Sequence, residues 1–122
     1  MTDTKLIKIV SGLAHDYFSG WYQGDWERVR NTLSADVRFE DPKLRCFDGI
    51  DAHIDLYANS IRFPDLREVI FGRVMHNQDG AFISYTVYLG TRRKATVVDQ
   101  LSVEEGKIVY VLSMMSEWAE YQ

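Results

Sequence analysis

The chain has 122 residues, 46% apolar and 26% charged, with a formal net charge of −4 and a pI near 5.3. A chain of that length buries one real core, its composition excludes a disordered polymer, and its acidity gives no general pull toward nucleic acid or an anionic membrane. The apolar runs fall short of a membrane span, Met1–Lys5 does not read as a signal peptide, and the single Cys46 permits no internal disulfide; one domain over 1–122, cytoplasmic, is expected.

In chain order, Leu6, Ile9, Val10, Leu13, Tyr17 and Trp21 fall at helical spacing and predict a first helix with one apolar stripe. Gly20 and Gly24 loosen its end, and Asp25 caps a short second helix carrying Trp26, Val29 and Leu33. A strand follows at Val37–Asp41, stopped by Pro42, which has no N–H for a ladder. A loop from Pro42 to Gly49 leads to a third helix with Ile50, Ile54, Tyr57, Ala58 and Ile61, ending before Pro64. Four strands with tight turns complete the chain: Leu66–His76, Ala81–Leu89, Ala95–Val103 and Ile108–Met115. The order α-α-β-α-β-β-β-β predicts an α+β fold in which helices cover one face of a curved, mainly antiparallel sheet. Several strands carry large apolar groups on both faces, which points to a homodimer through the outer face and a pocket on the inner one. Arg92-Arg93-Lys94, between two strands, reads as a solvated hairpin tip.

Three polar tips on apolar faces carry the functional argument. Alternation puts Asp41 with Val37 and Phe39, and Asp99 with Val97, Leu101 and Val103, while the Tyr17 hydroxyl tips the helical stripe. Each alone has an ordinary explanation: an Asp before Pro starts a turn, a buried Asp bonds backbone amides, and a core Tyr keeps its hydroxyl near the rim. Together they divide labour. Two acids in one apolar cavity resist ionising together, so one stays an anion and serves as base while the other stays protonated and donates. A phenol beside that donor completes an oxyanion hole, a constellation suited to proton abstraction next to a carbonyl.

The run Tyr17…Gly24-Asp25…Phe39-Glu40-Asp41-Pro42…Phe47-Asp48-Gly49…Leu56-Tyr57-Ala58-Asn59-Ser60…Val98-Asp99…Gly106-Lys107-Ile108 resembles the Δ5-3-ketosteroid isomerases. The wider superfamily is the nuclear transport factor 2-like, or SnoaL-like, cone-shaped α+β barrel. The resemblance implies Asp41 as the proton shuttle on a β,γ-unsaturated ketone, with Tyr17 and Asp99 donating to the enolate oxygen, as in the general scheme for that enzyme. It implies that Tyr57 steadies Tyr17 and that Phe39, Phe82, Val97, Val111 and Met115 line the cavity. The partner it implies is a hydrophobic small molecule, steroid or polyketide-like, without a metal or other cofactor. Leu33 and Met115 stand where family members carry aromatic residues, and Arg45 brings a cation to the cavity mouth.

The same superfamily hosts SnoaL-like cyclases, epoxide hydrolases and non-catalytic binding domains, which remain alternatives. The hydrolase needs an inward Asp-Arg-Asp set, and the inward faces offer no evident Arg. His15, His53 and His76 lie in separate elements without metal-ligand spacing, and His53 is expected at the cavity rim.

Overall fold

A computed structural model describes residues 3–41, 43, 45–55, 66–90 and 92–120. The first helix, α1 (Asp3–Gln23), buries Val10, Ala14, Tyr17 and Phe18 along one stripe. It stops in a left-handed turn at Gly24 (φ 71°), with Asp25 N–H donating to Gly20 O at 2.8 Å and Gly24 N–H to Trp21 O at 3.3 Å. Asp25 then caps α2 (Trp26–Arg30) by accepting from Arg28 N–H. Gly20 lets the two helices close: a Cβ there would lie 2.9 Å from Val29 Cγ2.

The strands are β1 (Leu33–Glu40), β2 (Cys46–Asp48), β3 (Leu66–His76), β4 (Gly80–Leu89), β5 (Arg93–Glu104), β6 (Lys107–Met115) and β7 (Ala119–Glu120), with α3 (Ile50–Asp55) between β2 and β3. They form one open sheet in the order β2-β1-β6-β5-β4-β3, while β7 pairs with the start of β5. The β1–β6 pair is parallel and the others are antiparallel, so the sheet is mixed but mainly antiparallel as expected.

Two short strands were absent from the predicted order. β2 lies in the stretch read as a loop, and Leu33, expected on α2, begins β1 and is buried there. The predicted continuation of the third helix through Tyr57, Ala58 and Ile61 lies outside the described residues. Among the described residues, no helix is long and apolar enough to cross a membrane.

The inner face of the sheet carries the core: Phe39, Val111, Leu101, Ile83, Tyr85, Val97 and Val87 are buried beneath the helices. On the outer face, Phe82, Ile70, Met75 and Met114 are exposed. Arg92, Arg93 and Lys94 are exposed as expected, and the Arg93 guanidinium also lies 5.8 Å from the Trp118 ring centroid.

Candidate functional site

Asp41, directly after β1, is buried, and so is Asp99 in β5. Their relation follows from strand register. Phe39 pairs with Val111 and Glu40 with Leu112, so the next step along the parallel pair sets Asp41 beside Ser113, which pairs with Asp99, which pairs with Ile83. Asp41, Ser113, Asp99 and Ile83 thus form one row across the inner face. Two strand spacings separate the backbones of the two acids, about 10 Å.

The acids sit in opposite environments. Asp41 Oδ1 accepts from the backbone N–H of Lys43 (2.9 Å) and of Arg45 (2.8 Å), and Oδ2 accepts from Arg45 Nε at 2.6 Å. Burial raises its pKa, but those bonds and the Arg45 charge outweigh burial and hold it below the ordinary carboxylate range. The turn-starting explanation for an Asp before Pro is therefore realised here, with Arg45 as its cationic partner. Among the described residues no cation pairs with Asp99. Burial pushes its pKa up to about 6 against the opposing hydrogen bonds of Ser113 and Tyr85, the latter donating to Oδ2 at 3.1 Å. Asp99 Oδ1 has no hydrogen-bond partner among the described residues.

Tyr17 is buried on α1, and its hydroxyl lies 2.9 Å from Nε2 of His53. His53, expected at the rim, is instead fully buried, edge-on to Phe39 with ring centroids 4.9 Å apart. Its pKa is pushed down to about 4 by burial, so the imidazole is neutral at pH 7. Helix spacing could have suggested it, since His53 and the buried Ile54 sit on one short amphipathic turn, but nothing in the sequence assigns His53 to Tyr17. Tyr57, expected to steady Tyr17, lies outside the described residues.

Phe39, Val97 and Val111 are buried on the inner face. Met115 pairs with Val97 at the open end of that face and is partly exposed. Phe82 does not belong with them. It pairs with Gln100, not with Asp99, and points to the outer face at 47% exposure. Its strand parity is opposite to that of Ile83, which is the physical reason it cannot line an inner cavity.

A cavity of about 310 Å³ opens between α1 and β3, lined by His15, Phe18, Phe71, Val74, His76 and Ile83 among others. Ile83 links it to the acid row, since it pairs with Asp99. Asp41, Tyr17 and Asp99 are not in its lining, so neither acid lies within this hollow. Among the described residues, no group of three or more His, Cys, Asp or Glu is arranged to hold a metal ion.

No curated protein matches the chain. Solved structures do. A candidate ketosteroid isomerase from Kribbella flavida superposes with a TM-score of 0.81 at 22% identity, covering 95% of this chain and 84% of that one. A nuclear transport factor 2-like protein of unknown function from Mesorhizobium loti gives 0.80 at 13% identity, covering 91% and 93%. A steroid delta-isomerase from Pseudomonas aeruginosa gives 0.74 at 12% identity, covering 89% and 80%. At these identities the likeness establishes the fold: α+β, helices on a curved open sheet, the nuclear transport factor 2-like cone. The SnoaL-like domain profile matches residues 14–111, most of the chain. The chain therefore belongs to the SnoaL-like domain family of the nuclear transport factor 2-like superfamily.

Proposed function

We propose that the protein moves a proton next to the carbonyl of a hydrophobic ketone, in the manner of a ketosteroid isomerase. The observation that carries this reading is the opposite displacement of two buried acids in one row of the sheet. Asp41 is held ionised and is the base, while Asp99 has a raised pKa and is the acid that donates. A ketone laid over Ser113 would offer its acidic carbon to one acid and its oxygen to the other. Asp41 takes the α-proton, the C–H electron pair delocalises into an enolate, Asp99 and Tyr17 donate hydrogen bonds to its oxygen, and the proton returns to the γ-carbon. Nothing is consumed.

The test is the conversion of a β,γ-unsaturated ketosteroid to its conjugated isomer, followed by ultraviolet absorbance in wild type and Asp41→Asn. A wild type that does not convert it, or a variant that converts it equally well, rejects this reading. The Asp41–Arg45 pair supplies two members of the Asp-Arg-Asp set that an epoxide hydrolase would need. Among the described residues Arg45 bonds to no second carboxylate, which favours the isomerase over the hydrolase.

Arg45 lowers the basicity of Asp41, and its side chain is 61% exposed. Arg45→Ala leaves the two backbone donors but removes the charge. The acid limb of the kcat/KM profile should then move up toward the ordinary carboxylate range. An unmoved limb would mean that Arg45 does not govern the base.

We further propose that the exposed outer face, with Phe82, Met75, Ile70 and Met114, seats a second copy of the chain. Light scattering should give a dimer for wild type and a monomer for Phe82→Glu, whose charge would be stranded in an apolar interface. A monomeric wild type at tens of micromolar sinks the dimer alone.

A further inference from the structure

His53 is a polar residue at 0% exposure that the mechanism above does not use. Among the described residues its ring packs against Phe39, edge-on at 89°, and against Tyr17, tilted at 46° with centroids 5.7 Å apart. Phe39 is two residues before Asp41 on the same face of β1, so the ring that bonds Tyr17 also packs on the strand that delivers the base. A neutral imidazole carries one ring proton, and where it sits decides what Tyr17 can do. With the proton on Nδ1, the bond to Nε2 must use the phenol's only hydrogen. Tyr17 would then meet a substrate oxygen with lone pairs. With the proton on Nε2, Tyr17 accepts from His53 and its own hydrogen is left for a third group.

We propose that His53 is a positioning residue that donates from Nε2 to the Tyr17 hydroxyl oxygen, turning the phenol proton toward the oxygen of a bound ketone. The proposal rests on the isomerase-type reading, in which Tyr17 is a donor to the enolate. It gives a reason for a buried histidine in the core of α3, where an apolar residue of the same size would pack without the cost of desolvating an imidazole.

Two measurements test it. Nitrogen-15 NMR of histidine-labelled wild type should show the His53 ring with a protonated Nε2 and a bare Nδ1 at pH 7, and the Nε2 signal should move in Tyr17→Phe. A ring protonated on Nδ1 overturns the proposal. The second measurement is the affinity for 2-naphthol, whose ionised oxygen imitates the enolate and whose fluorescence reports its ionisation. His53→Phe should weaken binding about tenfold, the worth of one hydrogen bond. His53→Gln, whose amide keeps a donor, should restore most of it. In a Tyr17→Phe background, His53→Phe should add no further loss, because the histidine acts only through the phenol. Equal losses in both backgrounds would mark His53 as merely structural and overturn the proposal. Failure of the isomerase reading looks different: wild type leaves the ketosteroid unconverted, while the tautomer and the naphthol series are still read from folded protein.

Discussion

Asp41→Asn should lower kcat/KM for the β,γ-unsaturated ketosteroid by about 10²–10⁴-fold, the usual worth of a positioned general base. The substitution is suited to isolating chemistry from folding. An Asn oxygen still accepts from Lys43 N–H and Arg45 N–H, so the turn after β1 keeps two of its three bonds. What disappears is the anion facing Arg45 Nε. Because the Arg45 side chain is 61% exposed, water replaces the lost partner, and the stability cost should stay near 1–2 kcal/mol. The far-ultraviolet circular dichroism spectrum and urea midpoint measure that cost directly. A variant that is folded and inert supports the base. A variant that is folded and active would leave Asp41 as an anchor for the 41–45 turn and nothing more. The pH dependence adds a second reading of the same group. Its pKa lies below the ordinary range, so the wild-type acid limb should fall below about pH 4.

Much of this arrangement was legible because strand parity is a strict rule. Alternation alone placed Asp41 with Phe39 and Asp99 with Val97 and Leu101 on the buried side. The helical stripe likewise placed Tyr17 inward. What alternation does not carry is which strand residue meets which. The β5–β6 hairpin turns through Glu105 (φ 50°) and Gly106 (φ 74°), with Glu104 opposite Lys107 and Val103 opposite Ile108. Counting on from that turn would put Asp99 opposite Leu112. A bulge between Ser102 and Val103 moves the pairing by one residue and delivers Ser113 instead. That one-residue slip is what gives Asp99 a hydroxyl neighbour and completes the row to Asp41. Parity was also available for Phe82, and it points outward; the family resemblance suggested the inner lining and the strand overruled it. The Tyr17–His53 contact spans 36 residues and depends on how α3 docks, which no local pattern encodes. Arg45, read as a cation at the cavity mouth, was not assigned to Asp41 for the opposite reason. It lies on a turn and not on an inward strand face, and reaches Asp41 because that turn folds back, with Asp41 N–H bonded to Arg45 O at 3.0 Å.

Asp99→Asn should flatten two pH dependences at once. In the folded chain the Asp99 pKa rises from its ordinary 3.8 to about 6, because burial disfavours the anion. Below pH 4 the carboxyl is neutral in both folded and unfolded chains and has no pH-dependent effect. Between pH 4 and 6 the unfolded chain releases its proton while the folded one keeps it, so stability falls as pH rises. Above about pH 6 the full penalty is in place, and a gap of that size is worth about 3 kcal/mol. Asparagine has no proton to lose. Its oxygen can accept from Tyr85, and its NH₂ can donate to Ser113, so Asp99→Asn should lack the fall between pH 4 and 7 and be the more stable protein above pH 7. Urea unfolding at each pH measures this. Activity should follow the same proton. If a protonated Asp99 donates to the enolate, wild-type kcat/KM should decline above about pH 6, and the variant, which keeps an N–H donor at every pH, should not. Asp99→Leu removes the donor altogether and should cost about 10²–10³-fold in kcat, the usual loss for one oxyanion donor. A gain in stability together with the loss of the alkaline limb would identify Asp99 as a group held in the core for chemistry at the expense of the fold. An alkaline limb that survives in Asp99→Asn would assign that ionisation to another residue and leave Asp99 a structural member of the row.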